Sequence, residues 1–368
     1  MASKVYFIDF RASYSENLLS KFQRLLDASG FSKSIGKRDL VALKIHFGEY
    51  GNTAFIRPVY IRQAVKAVKK GGGVPFLTDA NTLYAGSRGD SPSHLETAIT
   101  NGFDYAVTQA PLIIADGLRG ATETAVEVKG KHISHAYIGS EIIRADSFVS
   151  IAHFKGHELT GFGGALKNVG MGCASRKGKM VQHAGVSPRI DEKKCIGCGI
   201  CARYCVSQAI EMRESKPVIL DDKCTGCAEC ILICEQKAIK NRWNQSIPVL
   251  METMVEYCAG VLKDKKEKSF FINFINHISP ACDCAPYNDV PVVHDIGIVA
   301  SEDPVAIDQA SADLVNDQDA MPGSCIDGKA GAGSDKFRVL YPDVDWEVQL
   351  EYARKIGLGS RDYKLVKL

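Results

Sequence analysis

Eight of the chain's thirteen cysteines fall between residues 195 and 234, in two runs of identical spacing. They read Cys195-x2-Cys198-x2-Cys201-x3-Cys205 and Cys224-x2-Cys227-x2-Cys230-x3-Cys234. "CIGCGICARYCVSQAI" aligned on "CTGCAECILICEQKAI" gives seven identities in 16 positions, so the runs are halves of an internal repeat. Tight turns put the first three sulfurs of each run around one face. The x3 spacer then starts a helix that carries the fourth away from them.

This is the spacing of bacterial two-cluster ferredoxins, in which the fourth cysteine of each run ligates the other cluster. It assigns Cys195, Cys198, Cys201 and Cys234 to one [4Fe–4S] cluster, and Cys224, Cys227, Cys230 and Cys205 to the second. A zinc site needs only four ligands, commonly two CxxC pairs with a longer gap. A disulfide knot is disfavoured in a reducing cytosol. Two complete sets of four therefore favour clusters. The proline that usually follows the fourth cysteine is replaced by Val206 and Glu235, a change in the turn that leaves every ligand in place. The module is predicted over 188–242, from Pro188 to "NRWNQSIP", as an α+β domain of ferredoxin type. Long flanks on both sides make it an insertion, with 1–187 and 243–368 as the two parts of one host domain.

The 368 residues carry a net charge of only +2 and 45% hydrophobic residues, enough for a sizeable core. That balance gives no field to favour nucleic acid or a membrane as partner. The first residues have no apolar run of signal-peptide length, so the expected location is the cytoplasm. In the host, β-rich runs at 5–10, 40–48, 74–80, 147–154, 270–275 and 295–301 alternate with helical patterns. Pro58 opens one helix, which lysines and then glycines close. Asp303 followed by Pro304 caps another, along which Asp308 reads as a solvated position. Strands alternating with helices predict an α/β host with a mainly parallel or mixed sheet and flanking helices.

In such sheets ligands bind beyond the carboxyl ends of the strands. Lys44, His46, Asp79, His153, Lys155 and His157 stand at those ends and form the candidate catalytic set, with Asp295 opening another strand. The loop "GFGGALKNVGMGCASRKGKMVQH" (161–183) fits neither GxxxxGK[ST] nor GxGxxG. Its glycines read instead as letting backbone approach a bulky cofactor, with Gly163, Gly164, Lys167 and Asn168 as candidate contacts. Cys173, with Cys282 and Cys284 of "CDC" and His183, could hold a further iron–sulfur cluster or a mononuclear metal. Cys258 and Cys325 read as buried, small apolar fillers.

"HFGEYGN", "FKGHELTGFGGALKNVGMGCASRKGKMVQH", the double cysteine motif, "CDC" and "DIGIVASEDPVAIDQAS" together resemble the DUF362 family. The narrower resemblance is to its iron–sulfur center proteins of unknown function with a ferredoxin insertion. It covers nearly the whole chain and implies an α/β host carrying a 4Fe–4S module, mostly in anaerobic or ancient lineages. Residues 153–183 also resemble the His…G-x-x-GG-x-K…PG…His segment of the nickel-dependent lactate racemase family, with Met171 in place of the proline. That second likeness implies a segment facing a cofactor or substrate and carries no ligand assignment.

The expected function is a low-potential oxidoreductase. Two clusters would pass electrons from a redox partner protein to a metal or substrate site on the host, where lysines attract an anionic small molecule. The alternatives are a non-catalytic electron relay or a metal- or cofactor-assembly partner, and, third, clusters with only a structural role.

Overall fold

The computed structural model describes residues 2–84, 86–184, 187–205, 207–240 and 246–368. Val206 and the expected module boundary at 242 lie outside the described residues. Eight strands form one sheet: β1 (Ser3–Asp9), β2 (Leu40–Lys44), β3 (Val74–Asp79), β4 (Leu112–Ile114), β5 (Ser147–His153), β6 (Ser269–Ile275), β7 (Gly297–Ser301) and β8 (Tyr363–Lys367). Their order across the sheet is β8-β1-β7-β6-β5-β2-β3-β4. Only β7 runs against its neighbours, β1 and β6; every other pairing is parallel. The six apolar runs picked out in the sequence supply six of these strands. The short β4 and the half-exposed β8 were not among them.

The strands read as continuous apolar runs because both faces of the sheet are covered. In β6 every residue is buried, with Phe270, Ile272 and Phe274 on one face and Phe271 and Ile275 on the other. Helices α1 (Leu18–Ala28) and α2 (Pro58–Lys70) cover the first face through Phe22, Leu25, Ile61, Val65 and Val68. On the second lie α3 (Ala165–Gly170), α4 (Ile247–Leu262), α5 (Pro304–Asn316) and α6 (Glu347–Lys355). Each fully buried Phe or Ile contributes about 1.5–3 kcal/mol through its removal from water.

Helix ends follow their local chemistry. Pro58 opens α2, Lys69 and Lys70 occupy its last turn, and Gly71 closes it. The Asp303 carboxylate accepts the Val305 and Ala306 amides (2.8 and 2.9 Å) and caps α5. Asp308 departs from expectation. It is fully buried and accepts the Ala165 and Leu166 amides (2.6 and 2.9 Å) and the Asn273 side chain (2.8 Å). A carboxylate inside α5 thus caps α3 across the core, and burial raises it to about 6. The period of α5 could not reveal this, because the partner amides lie some 140 positions away in the chain.

Parallel strands deliver their carboxyl ends to one edge. There Lys44 ends β2, Asp79 ends β3 and His153 ends β5. The segments that follow them, together with the chain between β6 and β7, build the site.

Candidate functional site

Residues 187–240 form a compact two-fold repeat. Arg189–Ile190 pairs antiparallel with Ile239–Lys240, and Ile210–Arg213 pairs antiparallel with Lys216–Ile219. One-turn helices, Ile200–Arg203 and Glu229–Leu232, occupy equivalent places. Equivalent hydrogen bonds recur as well: Cys195 and Cys224 amides donate back to Asp191 and Leu220 carbonyls (3.1 and 3.0 Å). The Ala209 and Ala238 amides donate to the Cys205 and Cys234 sulfurs (3.2 and 3.3 Å). Gly197 and Gly226 adopt φ of +70° and +71°, and a Cβ on Gly197 would stand 2.2 Å from the Ser215 carbonyl oxygen.

The sulfurs gather in two sets. A cavity of about 90 Å³ is lined by Cys195, Cys198, Cys201 and Cys234, with Ile200, Pro217 and Ile239 as apolar wall. A second, of about 20 Å³, is lined by Cys205, Cys224, Cys227 and Cys230. The fourth cysteine of each run therefore sits with the other run's first three. Burial, and then the neighbouring sulfurs, push the Cys230 thiol well above its ordinary value.

This segment packs directly on the sheet's carboxyl edge. Leu83 and Met180 join Cys201, Ile210, Ile231 and Ile239 in one apolar cluster. The buried Arg176 guanidinium pairs with Glu229 (2.8 Å) and also donates to the Gly89 carbonyl.

Leu83 also lines a large cavity, about 600 Å³, at the same edge. From the candidate catalytic set it receives Lys44, His46, Asp79, Lys155 and His157; from the glycine loop it receives Gly164, Lys167, Asn168 and His183. Cys282 and Cys284 also line it. His153 does not reach it: Nδ1 meets the Asp283 carboxylate (2.8 Å) and Nε2 the Asn276 carbonyl (2.7 Å) beneath the floor. Gly163 also stays out of the lining, packed against the Lys155 and Lys167 side chains. Asp295 is spent on the His277 amide (2.7 Å).

The cavity is rich in cations. Lys44 Nζ contacts Asp79 and Asn168 (both 2.9 Å), and Lys155 Nζ contacts the His153 carbonyl (2.9 Å) and Asp283 (3.4 Å). Although burial alone would raise Asp79, Lys44 and His94 hold it well below the usual carboxylate range. Burial pushes Lys179 down to about 8. Lys167 Nζ stands 3.8 Å from the Cys282 sulfur. Arg88 and Lys179 were missed by sequence reading. Arg88 is held by Glu49 (3.0 Å) on the loop after β3, a place only the topology marks.

His157, Cys282 and Cys284 bring a nitrogen and two sulfurs within 4.8 Å of one another, an arrangement that can hold a metal ion. Cys284, donating to Cys282, and the Lys167 charge hold the Cys282 sulfur well below its ordinary value. Cys173, grouped with them from sequence, is elsewhere. It is fully buried in the core, its sulfur faces the Asn168 carbonyl at 3.9 Å, and burial raises it to about 12. Its place in the group is taken by His157, the nearer imidazole. Cys258 is buried as expected, whereas Cys325 is exposed.

Fold and site together define an α/β protein with a cation-rich, thiol-bearing cavity at the carboxyl edge of its sheet, beside a two-fold, cysteine-rich repeat. The chain belongs to the family described as "Domain of unknown function (DUF362)", whose model matches residues 41–313. Among solved structures it is similar to the lactate racemase apoprotein from Thermoanaerobacterium thermosaccharolyticum, at 12% identity and a TM-score of 0.43. That alignment covers 85% of this chain and 57% of the other, so this chain spans little more than half of that protein. No curated protein matches the chain. Among the described residues no helix is long and apolar enough to cross a membrane.

Proposed function

We propose that this is an iron–sulfur electron-transfer protein and a low-potential oxidoreductase acting on a small anion in the large cavity. Cys195, Cys198, Cys201 and Cys234 would hold one [4Fe–4S] cluster, and Cys224, Cys227, Cys230 and Cys205 the other. The observation that carries this is the convergence of the eight sulfurs into two sets of four, each around its own cavity and each with the fourth cysteine exchanged. Apolar walls and amides donating to Cys205 and Cys234 suit thiolates that share a buried, charged group. Such clusters supply single electrons at a potential set by hydrogen bonds and exposure.

In this reading 188–242 is a ferredoxin-like insertion that meets a redox partner protein in the cytoplasm. The remaining residues bind and orient the substrate. Lys167 and Lys155 attract its negative charge, and the His46 and His157 imidazoles line the cavity as groups able to accept or give a proton. A large, cation-lined cavity against the cysteine-rich repeat favours transfer to a small molecule over a bare relay.

The test is anaerobic purification of the full chain with iron and acid-labile sulfide counted. Eight of each per chain are expected, and Cys198→Ser should lower the iron count by up to half. Two zinc ions and no sulfide would overturn the reading.

A further inference from the structure

The "CDC" segment is built as a chemical pair. The Ala285 amide donates to the Cys282 carbonyl (2.9 Å), closing a tight turn that holds both thiols. The Cys284 amide donates to the Cys282 sulfur (3.4 Å), and Lys167 Nζ stands 3.8 Å from the same atom. Cys282 is only 3% exposed, yet it lines the cavity together with the half-buried Cys284. Cysteines two apart in a turn lie within the Cα separation that a disulfide spans.

The histidine beside them decides between a metal and a disulfide. His157 Nδ1 accepts the Leu159 amide (3.1 Å), so the neutral ring carries its proton on Nε2. A ring in that tautomer can donate an Nε2–H hydrogen bond to a thiolate, and must lose that proton before Nε2 can ligate a metal ion.

The pair is also joined to the cysteine-rich repeat. Leu83 belongs both to the repeat's apolar cluster and to the cavity lining. Its neighbour Tyr84 donates its hydroxyl to the Cys284 carbonyl (3.1 Å).

We infer that Cys282 and Cys284 form a redox-active disulfide–dithiol couple at the wall of the cavity. In reduction the Cys282–Cys284 S–S bond takes two electrons and one proton and becomes a Cys282 thiolate and a Cys284 thiol. The reductant is a low-potential one-electron donor acting twice. The proton reaches Cys284 from solvent through the cavity, while the Lys167 ammonium and the His157 Nε2–H face the Cys282 thiolate. The inference rests on the proposed electron-transfer function only for the natural source of the electrons.

The experiment uses the full chain, oxidised with diamide and then reduced with dithionite and methyl viologen under argon. Each state is alkylated after denaturation and digested with trypsin. The tryptic peptide 269–329 contains Cys282, Cys284 and Cys325. The oxidised form is expected to take up one alkyl group, on Cys325, and the reduced form three. In reductive titration, Cys282→Ser should consume two electrons fewer than the parent chain at equal iron content. Three alkyl groups in both states would overturn the inference. So would a metal ion bound at one per chain and lost on Cys282→Ser. Peptide mapping needs no variant to fold. If iron is absent while the two-electron difference persists, the cluster reading fails and the couple stands.

Discussion

His94 shows how burial can outweigh a favourable charge. It is fully buried, edge-on to Phe47 (centroids 5.7 Å apart), with Nε2 3.7 Å from the Asp79 carboxylate. Burial nevertheless lowers its affinity for a proton, over the pull of Asp79. A histidine depressed in the folded state contributes stability above its unfolded value, near 6.5, and loses it as the unfolded chain binds the proton first. Acidification from pH 7 to 5 should therefore destabilise the protein. His94→Leu should remove up to about 1.4 kcal/mol per pH unit of that slope below pH ~6.5. Urea midpoints at the two pH values measure it, and equal losses in both proteins would place the sensitivity elsewhere. The sequence marks His94 only as one histidine in a helical segment. Its burial and its carboxylate neighbour come from β3 and the following loop, which local pattern cannot place.

The short helix α3 shows why the glycine loop is written as it is. A Cβ on Gly170 would stand 2.1 Å from the Met254 carbonyl oxygen of α4, and one on Gly164 2.3 Å from Asp308. These glycines serve close packing of α3 against α4 and α5, which presents Lys167 and Asn168 to the cavity. The expected approach to a bulky ligand is not their main role. Gly170→Ala should force α3 and α4 apart and cost about 1–3 kcal/mol. A lowered urea midpoint with unchanged slope would show it, and an unchanged midpoint would refute the packing account. A sequence displays the glycines but not what presses on them. Alternation and capping made the β-runs and α2 legible. β4 is only three residues long, and β8, which is half-exposed, forms by pairing with β1.

In the whole molecule, Glu229 fastens the cysteine-rich repeat to the host. It meets Arg119 (2.5 Å) and the buried Arg176 (2.8 Å). Glu229→Ala leaves Arg176 buried without its carboxylate and should loosen the docking by about 2 kcal/mol. Faster amide hydrogen exchange across 187–240, with protection in β5 and β6 unchanged, is the expected result. Uniform change in both would show that the two parts open as one unit. The chain's own pattern settled the repeat and the grouping of its cysteines, because a cysteine spacing of two or three residues acts over a few ångströms of covalent backbone. It also settled the α/β class, because strand and helix periods are local. Only the tertiary structure decided which groups share the cavity. Lys44, Arg88, His157, Lys167 and Cys282 meet because parallel strands send loops from distant parts of the chain to one edge. For the same reason Cys173, near in sequence to Lys167, lies in the core while Cys282, more than a hundred residues away, lies beside it.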